Sequence, residues 1–178
     1  MTFDIVLRSI MPQLRQDSTT KEWVIIATDR SKRPHDFKKG KPAVERPIYK
    51  VDCPFCPGNE HLTPHETLAY RSGGPADSKG WWVRVVPNRF PALIPEGSLE
   101  RKEEKGFFRM MDGVGIHEVV IESPFHNQFL PLMEDKQVEE ILFAYRERYL
   151  ALREDPRIKL IIIFKNHGEA AGTSLEHP

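Results

Sequence analysis

The segment from residue 34 to residue 64 constrains the fold most, because it is dense in proline and glycine. Each proline fixes φ and removes a backbone N–H, so we expect irregular backbone in place of helices and strands. A long irregular loop needs an anchor. Cys53 and Cys56 provide one, since they form a C-x-x-C turn in which proline and glycine shape a knuckle that turns two thiolates toward one ion. The prolines lie at positions 34, 42, 47, 54, 57 and 64.

The two cysteines are the only ones in the chain, which argues against a disulfide framework. A thioredoxin-like redox pair requires a helix that begins at the first cysteine, and Pro54, Pro57 and Gly58 do not continue into helical periodicity. We therefore favour a metal site, with a redox pair and inert thiols as the alternatives. His117 and His126 are candidates to complete it, and His126 is preferred because a turn can aim an imidazole at an ion.

Hydrophobic patterning predicts an α+β fold, an antiparallel sheet with packed helices. Strands are expected over residues 22–27, 81–86, 115–122 and 158–164, the last as a buried strand, and an amphipathic helix over residues 135–153. Their succession lacks regular β-α-β alternation, so we expect one antiparallel sheet with the helix packed on it. Residues 97–106 are rich in charge, and this composition predicts a mobile surface loop. The length favours a single domain.

Composition limits the partners. Lys plus Arg and Asp plus Glu both total 26, so no overall field favours nucleic acid or an anionic membrane. An anionic ligand must then be held by local groups. Asp4 and Arg8 interrupt the short apolar stretch at the start of the chain, which excludes a secretory signal or membrane span there and predicts a cytoplasmic protein.

Three segments combine groups that suit a nucleotide. Arg30, Lys32 and Arg33 follow the first predicted strand, and arginine forks match phosphate oxygens. Asn88 and Phe90 follow the second, where an amide with an aromatic face is typical of nucleobase recognition. After residues 158–164 comes a loop of small residues and hydroxyls that permits close approach of backbone N–H groups to phosphate. The alternatives are a solvated basic turn, a strand-end turn with a core phenylalanine, and an ordinary polar loop.

Five motifs together resemble the N-terminal half of the galactose-1-phosphate uridylyltransferase family, in the histidine-triad superfamily. They are RSKRP at 30–34, CPFC at 53–56, PNRF at 87–90, SPFH at 123–126 and NHGEAAGTS at 166–174, followed by His177 and Pro178. The resemblance implies a histidine-triad-like fold and a structural zinc. It implies that the zinc ligands are Cys53, Cys56, His126 and His177. It places substrate contacts at Arg30, Ser31, Lys32, Arg33, Asn88, Arg89, Phe90, Asn166, Gly172, Thr173 and Ser174.

The resemblance also implies an activity. Residues 1–178 are expected to be the nucleotide-binding domain of a hexose-1-phosphate nucleotidyltransferase, cut short inside a His-Pro-His motif whose second histidine, the nucleophile, is expected just after Pro178. UDP-glucose and galactose 1-phosphate are the expected substrates, in a cytoplasmic homodimer with no nucleic-acid or membrane partner. The alternatives are an ADP-glucose-type adenylyltransferase and a non-catalytic, zinc-stabilised nucleotide-binding module.

Overall fold

The structure is a computed structural model that describes residues 11–32, 46–167, 171 and 177–178. The chain divides into two compact units. The first comprises Met1–Arg33 and Phe90–His117, and the second comprises Pro34–Arg89 and Glu118–Pro178. None of the described helices is long and apolar enough to cross a membrane.

The first unit contains a four-stranded antiparallel sheet in the order β2-β1-β6-β5. Its strands are β1 (Gln13–Gln16), β2 (Trp23–Ile26), β5 (Lys102–Glu104) and β6 (Phe108–Asp112). The turn from β1 to β2 is organised by Asp17, whose side chain accepts hydrogen bonds from the backbone N–H groups of Thr19 and Thr20 at 2.7 and 2.9 Å. Lys21 completes the turn with a positive φ of 66°. A short 3-10 helix, Thr28–Lys32, follows β2.

The second unit contains a three-stranded antiparallel sheet in the order β3-β4-β7. Its strands are β3 (Leu68–Arg71), β4 (Trp81–Pro87) and β7 (Glu118–Ile121), and its helix is α1 (Asp135–Leu152). The central strand β4 is the most buried of the three and contributes to both apolar clusters of the core. Val83 packs with Ile141 and Ala144 of α1. Trp81 and Val86 pack with Ile121 of β7 and with partly buried Phe55 from the cysteine knuckle.

A buried arginine ties the loops of the second unit to β4. Arg84 is fully buried, and its guanidinium donates to Glu66 Oε2 at 2.8 Å and to Asp77 Oδ1 at 2.8 Å. Glu66 is also paired with Arg71. A buried charge is tolerated only when it is paired and hydrogen-bonded, so these contacts fix the connection between β3 and β4.

The helix prediction is confirmed. α1 begins at Asp135 as expected and ends at Leu152, with Arg153 as its C-terminal cap. Gln137 joins it to the sheet, since its side chain donates to the carbonyls of Trp82 and Glu122 at 2.9 and 2.6 Å. The α+β class with antiparallel sheets is also confirmed.

The prediction of one sheet was wrong. Residues 22–27 contribute β2 to the first unit's sheet, whereas residues 81–86 and part of 115–122 contribute β4 and β7 to the second. The predicted 115–122 strand crosses the division between the units at His117. The loop predicted at 97–106 contains β5, which pairs with β6. Polar strands such as β5 lack the apolar alternation on which the prediction depended.

The buried strand predicted at 158–164 was also wrong. Within the described residues the segment belongs to neither sheet, and four of its six apolar side chains are exposed, with Leu160 at 75% and Phe164 at 66%. β-branched residues favour extended backbone, but a strand is stabilised by pairing and by packing against neighbours. Within the described chain this segment has no strand partner, and of its apolar side chains only Ile158 and Ile161 are partly buried.

Candidate functional site

The cysteine knuckle is built by consecutive tight turns. The N–H of Cys53 donates to Lys50 O at 3.2 Å, the N–H of Cys56 to Cys53 O at 3.2 Å, and the N–H of Asn59 to Cys56 O at 3.1 Å. Gly58 adopts a φ of 100°, a conformation that glycine accepts without steric cost. These turns bring both thiols to the buried side of the loop, where Cys53 and Cys56 are almost completely enclosed.

Two polar residues after the cysteines hold the knuckle in place. The Asn59 side chain donates to the carbonyls of Val51 and Cys53 at 2.9 and 2.7 Å. Glu60 accepts the indole N–H of Trp81 and the backbone N–H of Gly58, each at 2.9 Å. The sequence reasoning missed both residues. The signal was available, because a loop without regular structure must satisfy its buried backbone groups with nearby side chains.

His126 lies in the turn that follows β7. Its backbone N–H donates to Ile48 O at 2.8 Å, which joins this turn to the segment leading into the knuckle. Ser123 shapes the turn by accepting the Phe125 N–H at 3.1 Å. The carbonyl of Ser123 lies 2.8 Å from His177 Nε2. A neutral imidazole that donates through Nε2 keeps the lone pair of Nδ1 available as a metal ligand.

The four side chains converge. The Nδ1 atom of His126 lies 3.5 Å from Cys56 Sγ and 3.2 Å from His177 Nδ1. The Nδ1 atom of His177 lies 3.7 Å from both sulfurs. All four ligand atoms lie within 4.8 Å of one another, and all four residues are buried. Tetrahedral coordination with metal–sulfur and metal–nitrogen bonds of about 2.3 and 2.0 Å places ligand atoms roughly 3.3–3.8 Å apart, so this donor set fits a single ion.

Burial shifts both kinds of ligand toward the neutral form. It raises the pKa of the Cys53 thiol to about 11, and the neighbouring Cys56 adds to the effect. Burial also lowers the pKa of His177 to about 4, against the hydrogen bond to Ser123, and the nearby His126 lowers it further. A metal ligand must be deprotonated, so binding of a dication would require the Cys53 thiol to release its proton, whereas the neutral His177 imidazole is already able to coordinate.

The structure brings together the four residues predicted as metal ligands, and His126, which was preferred over His117, is the histidine that lies beside the cysteines. His117 lies in the first unit, where its Nδ1 accepts the backbone N–H of Ala92 at 2.9 Å. His177 was inferred only from the family resemblance, and it joins the cluster.

The predicted nucleotide-binding residues are distributed over both units. In the first unit, Arg30 Nη1 donates to the carbonyl of Phe90 at 2.8 Å, and Ser31 donates to the Thr28 carbonyl at 2.7 Å within the 3-10 helix that also contains Lys32. In the second unit, Asn88 and Arg89 follow β4, and Asn166 is exposed. The remaining predicted residues lie outside the described residues: Arg33, Gly172, Thr173 and Ser174.

The family model described as galactose-1-phosphate uridyl transferase, N-terminal domain, matches residues 1–178. The chain belongs to this family. It is 36% identical to the ADP-glucose phosphorylase of Arabidopsis thaliana over 167 residues, which is 93% of this chain and 46% of that protein. It is 32% identical to the galactose-1-phosphate uridylyltransferase of Thermotoga maritima over 168 residues, which is 94% of this chain and 45% of that protein. The chain thus spans a little under half the length of these relatives.

Solved structures agree with the family. A uridylyltransferase structure superposes with a TM-score of 0.64 at 26% identity, covering 93% of this chain and 43% of that chain. A crystal structure of the Arabidopsis thaliana ADP-glucose phosphorylase with bound ADP-glucose superposes with a TM-score of 0.59 at 32% identity, covering 93% and 46%. These neighbours confirm the histidine-triad-like α+β fold class.

Proposed function

We propose that this chain is the nucleotide-binding part of a hexose-1-phosphate nucleotidyltransferase of carbohydrate metabolism. The observation that carries the proposal is the family match over the whole chain, together with the buried four-ligand cluster at the motifs that the resemblance singled out. The same motifs contain the arginines, amide and hydroxyls that suit a nucleotide diphosphate.

The proposed reaction uses two in-line displacements at one phosphorus. A histidine expected just after Pro178 attacks the α-phosphorus of a nucleoside diphosphate hexose, so that a P–N bond forms and the P–O bond to hexose 1-phosphate breaks. A second hexose 1-phosphate then takes the nucleotidyl group and frees the imidazole. Charge on the phosphoryl oxygens would be held by Arg30, Arg33, the Asn166 amide and the hydroxyls of Thr173 and Ser174.

The metal is proposed to be zinc with a structural role. Two cysteines and two histidines form a closed tetrahedral set, which leaves no coordination position for a substrate. Zinc would hold the proline-rich loop and the turn after β7 together, while the reacting phosphate is bound by other residues of the chain.

The base and the sugar are the finer part of the proposal. We favour UDP-glucose with galactose 1-phosphate, and place the base against Asn88 and Phe90. The 36% identity to an ADP-glucose phosphorylase supports an adenine nucleotide as the second candidate. A zinc-stabilised module that binds nucleotide without catalysis is the third.

Calorimetric titration of the zinc-loaded chain with UDP-glucose and with ADP-glucose tests the binding. The tighter ligand identifies the base, and equal failure of both in a folded chain contradicts nucleotide binding by these residues. Transfer is tested in a longer protein that continues past Pro178. Mass spectrometry after incubation with the tighter ligand should detect one nucleotidyl group, and replacing the expected histidine should abolish that adduct without weakening binding.

A further inference from the structure

Asn166 is exposed, and the residues on both sides of it are tied to different parts of the second unit. We propose that Lys165 and His167 are positioning residues that fix the Asn166 amide for an anionic ligand. This inference rests on the proposed function, because it takes Asn166 as a contact to the nucleotide phosphates.

The first anchor is a buried carboxylate. Glu122 follows β7 and is 2% exposed. It forms an ion pair with the Lys165 ammonium and accepts the Tyr145 O–H at 2.6 Å. Burial and the hydrogen bond to Glu122 both raise the pKa of Tyr145, so the phenol remains a donor. A buried carboxylate is stabilised by a paired cation, and Lys165 supplies that cation to Glu122.

The second anchor is an aromatic ring. His167 packs edge-on against Phe129, with ring centroids 5.1 Å apart and an interplanar angle of 87°. The Arg46 guanidinium lies 4.8 Å from the centroid of the same Phe129 ring. Aromatic and cation–π contacts of this kind restrict side-chain motion at a partly exposed site. The two residues that flank Asn166 are thus both anchored to the second unit.

The anchors also connect Asn166 to the metal centre. Glu122 fixes Lys165, and the adjacent Ser123 accepts the hydrogen bond from His177 Nε2 at 2.8 Å. The two consecutive residues that follow β7, Glu122 and Ser123, therefore contact Lys165 and the candidate metal ligand His177. Rigid support of this kind is what places a binding group within the small tolerance that a ligand demands.

The test compares Lys165→Met with Lys165→Arg, and uses Lys159→Met as the matched control on the same exposed segment. Lys165→Met should weaken binding of the preferred nucleotide sugar by roughly tenfold, within the range of coupling energies measured for residues that act through others. It should also speed hydrogen exchange of the backbone amides around Asn166. Lys165→Arg should restore most of the affinity, and Lys159→Met should change neither quantity. Metal content should stay the same in all three variants.

A double-mutant cycle separates positioning from direct contact. If Lys165 acts through Glu122, adding Glu122→Gln to Lys165→Met weakens binding no further. Additive losses would show that the ammonium touches the ligand itself and would overturn the inference. His167→Phe keeps the ring contact without the imidazole nitrogens, so it should bind like wild type, whereas His167→Ala should not.

The experiments distinguish failure of the proposed function from failure of this inference. If the wild-type chain binds neither nucleotide sugar, the proposed function fails for this chain, and hydrogen exchange alone decides whether Lys165 and His167 order Asn166. Unchanged exchange in Lys165→Met and His167→Ala would overturn the inference. Faster exchange with unchanged affinity would also overturn it, because the ordering would then have no consequence for the ligand.

Discussion

The candidate metal site and the proposed nucleotide-binding residues are organised in opposite ways. The four residues of the candidate metal site lie in one unit and are buried, and four of the distances between their sulfur and Nδ1 atoms are 3.2–3.7 Å. The residues proposed to bind the nucleotide occur in both units, and Arg89 and Asn166 among them are exposed. Burial of the first set suits a role in stabilising the fold, and the exposure of Arg89 and Asn166 suits the proposed contact with a ligand. Substitutions in the first should therefore affect folding, and substitutions in the second should affect binding.

The largest effect is expected from Cys56→Ser or from removal of the metal by a chelator. Structural zinc sites couple on the order of 10 kcal/mol of binding free energy to folding, which is comparable with the whole stability of a domain. The second unit should lose its cooperative thermal transition, measured by circular dichroism alongside metal analysis. His61→Gln, which changes an exposed histidine outside the cluster, is the control and should leave both unchanged. A Cys56→Ser protein that stays folded without metal would contradict a stabilising role for the cluster.

Arg84→Met should be the next most damaging change. It removes the guanidinium that Glu66 and Asp77 share, and leaving a buried charge unpaired costs about 3–5 kcal/mol. Because Glu66 keeps its pairing with Arg71, the expected loss lies at the lower end, about 3 kcal/mol. Chemical denaturation should report this loss while the folded fraction keeps its full metal content. Arg109→Met is the matched control, because Arg109 is exposed and 3.7 Å from Glu103, and surface pairs contribute about 1 kcal/mol or less. Loss of metal from folded Arg84→Met protein would show that the Arg84 ion pairs and the candidate metal site are energetically coupled.

Arg33→Ala tests the proposed nucleotide-binding residues. Removing a charged hydrogen bond to phosphate should weaken nucleotide binding by about 1.5–3 kcal/mol and leave the thermal midpoint unchanged. Calorimetry of the variant against wild type measures the first quantity, with Arg109→Ala as the control. Unchanged affinity would remove Arg33 from the site, and a lowered midpoint would give it a structural role.

The smallest expected effect is on stability at acidic pH, and it involves Asp77. Burial tends to raise the pKa of Asp77, but hydrogen bonds from His65, the Glu66 N–H and Arg84 outweigh it and lower the pKa from 3.8 to about 2. A carboxylate with a depressed folded-state pKa contributes stability above about pH 4, and that contribution is lost as the pH falls from 3.8 toward 2. Asp77→Asn should thus be destabilising near neutrality, by about 1 kcal/mol after solvent screening, and the gap from wild type should close below pH 4. A gap that is constant with pH would contradict this account.

The sequence predicted the elements whose signals are local. The three-and-four spacing of apolar residues predicted α1, and the C-x-x-C turn with a histidine in a second turn predicted three of the four residues that cluster as a candidate metal site. The wrong predictions concern strand pairing, because a local sequence pattern does not show which strand lies beside a segment. Residues 158–164 are as β-branched as β4, yet β4 pairs on both sides and 158–164 is in neither sheet of the described chain. Polar β1 and β5 are strands because β6 lies between them.

X-ray absorption at the zinc edge tests the central claim most directly, because it reports the ligands of the ion in the intact chain. One zinc per chain with two sulfur neighbours at about 2.3 Å and two nitrogen neighbours at about 2.0 Å is the predicted result. Purified, folded protein without zinc, a shell of light atoms alone, or a disulfide between Cys53 and Cys56 would contradict it.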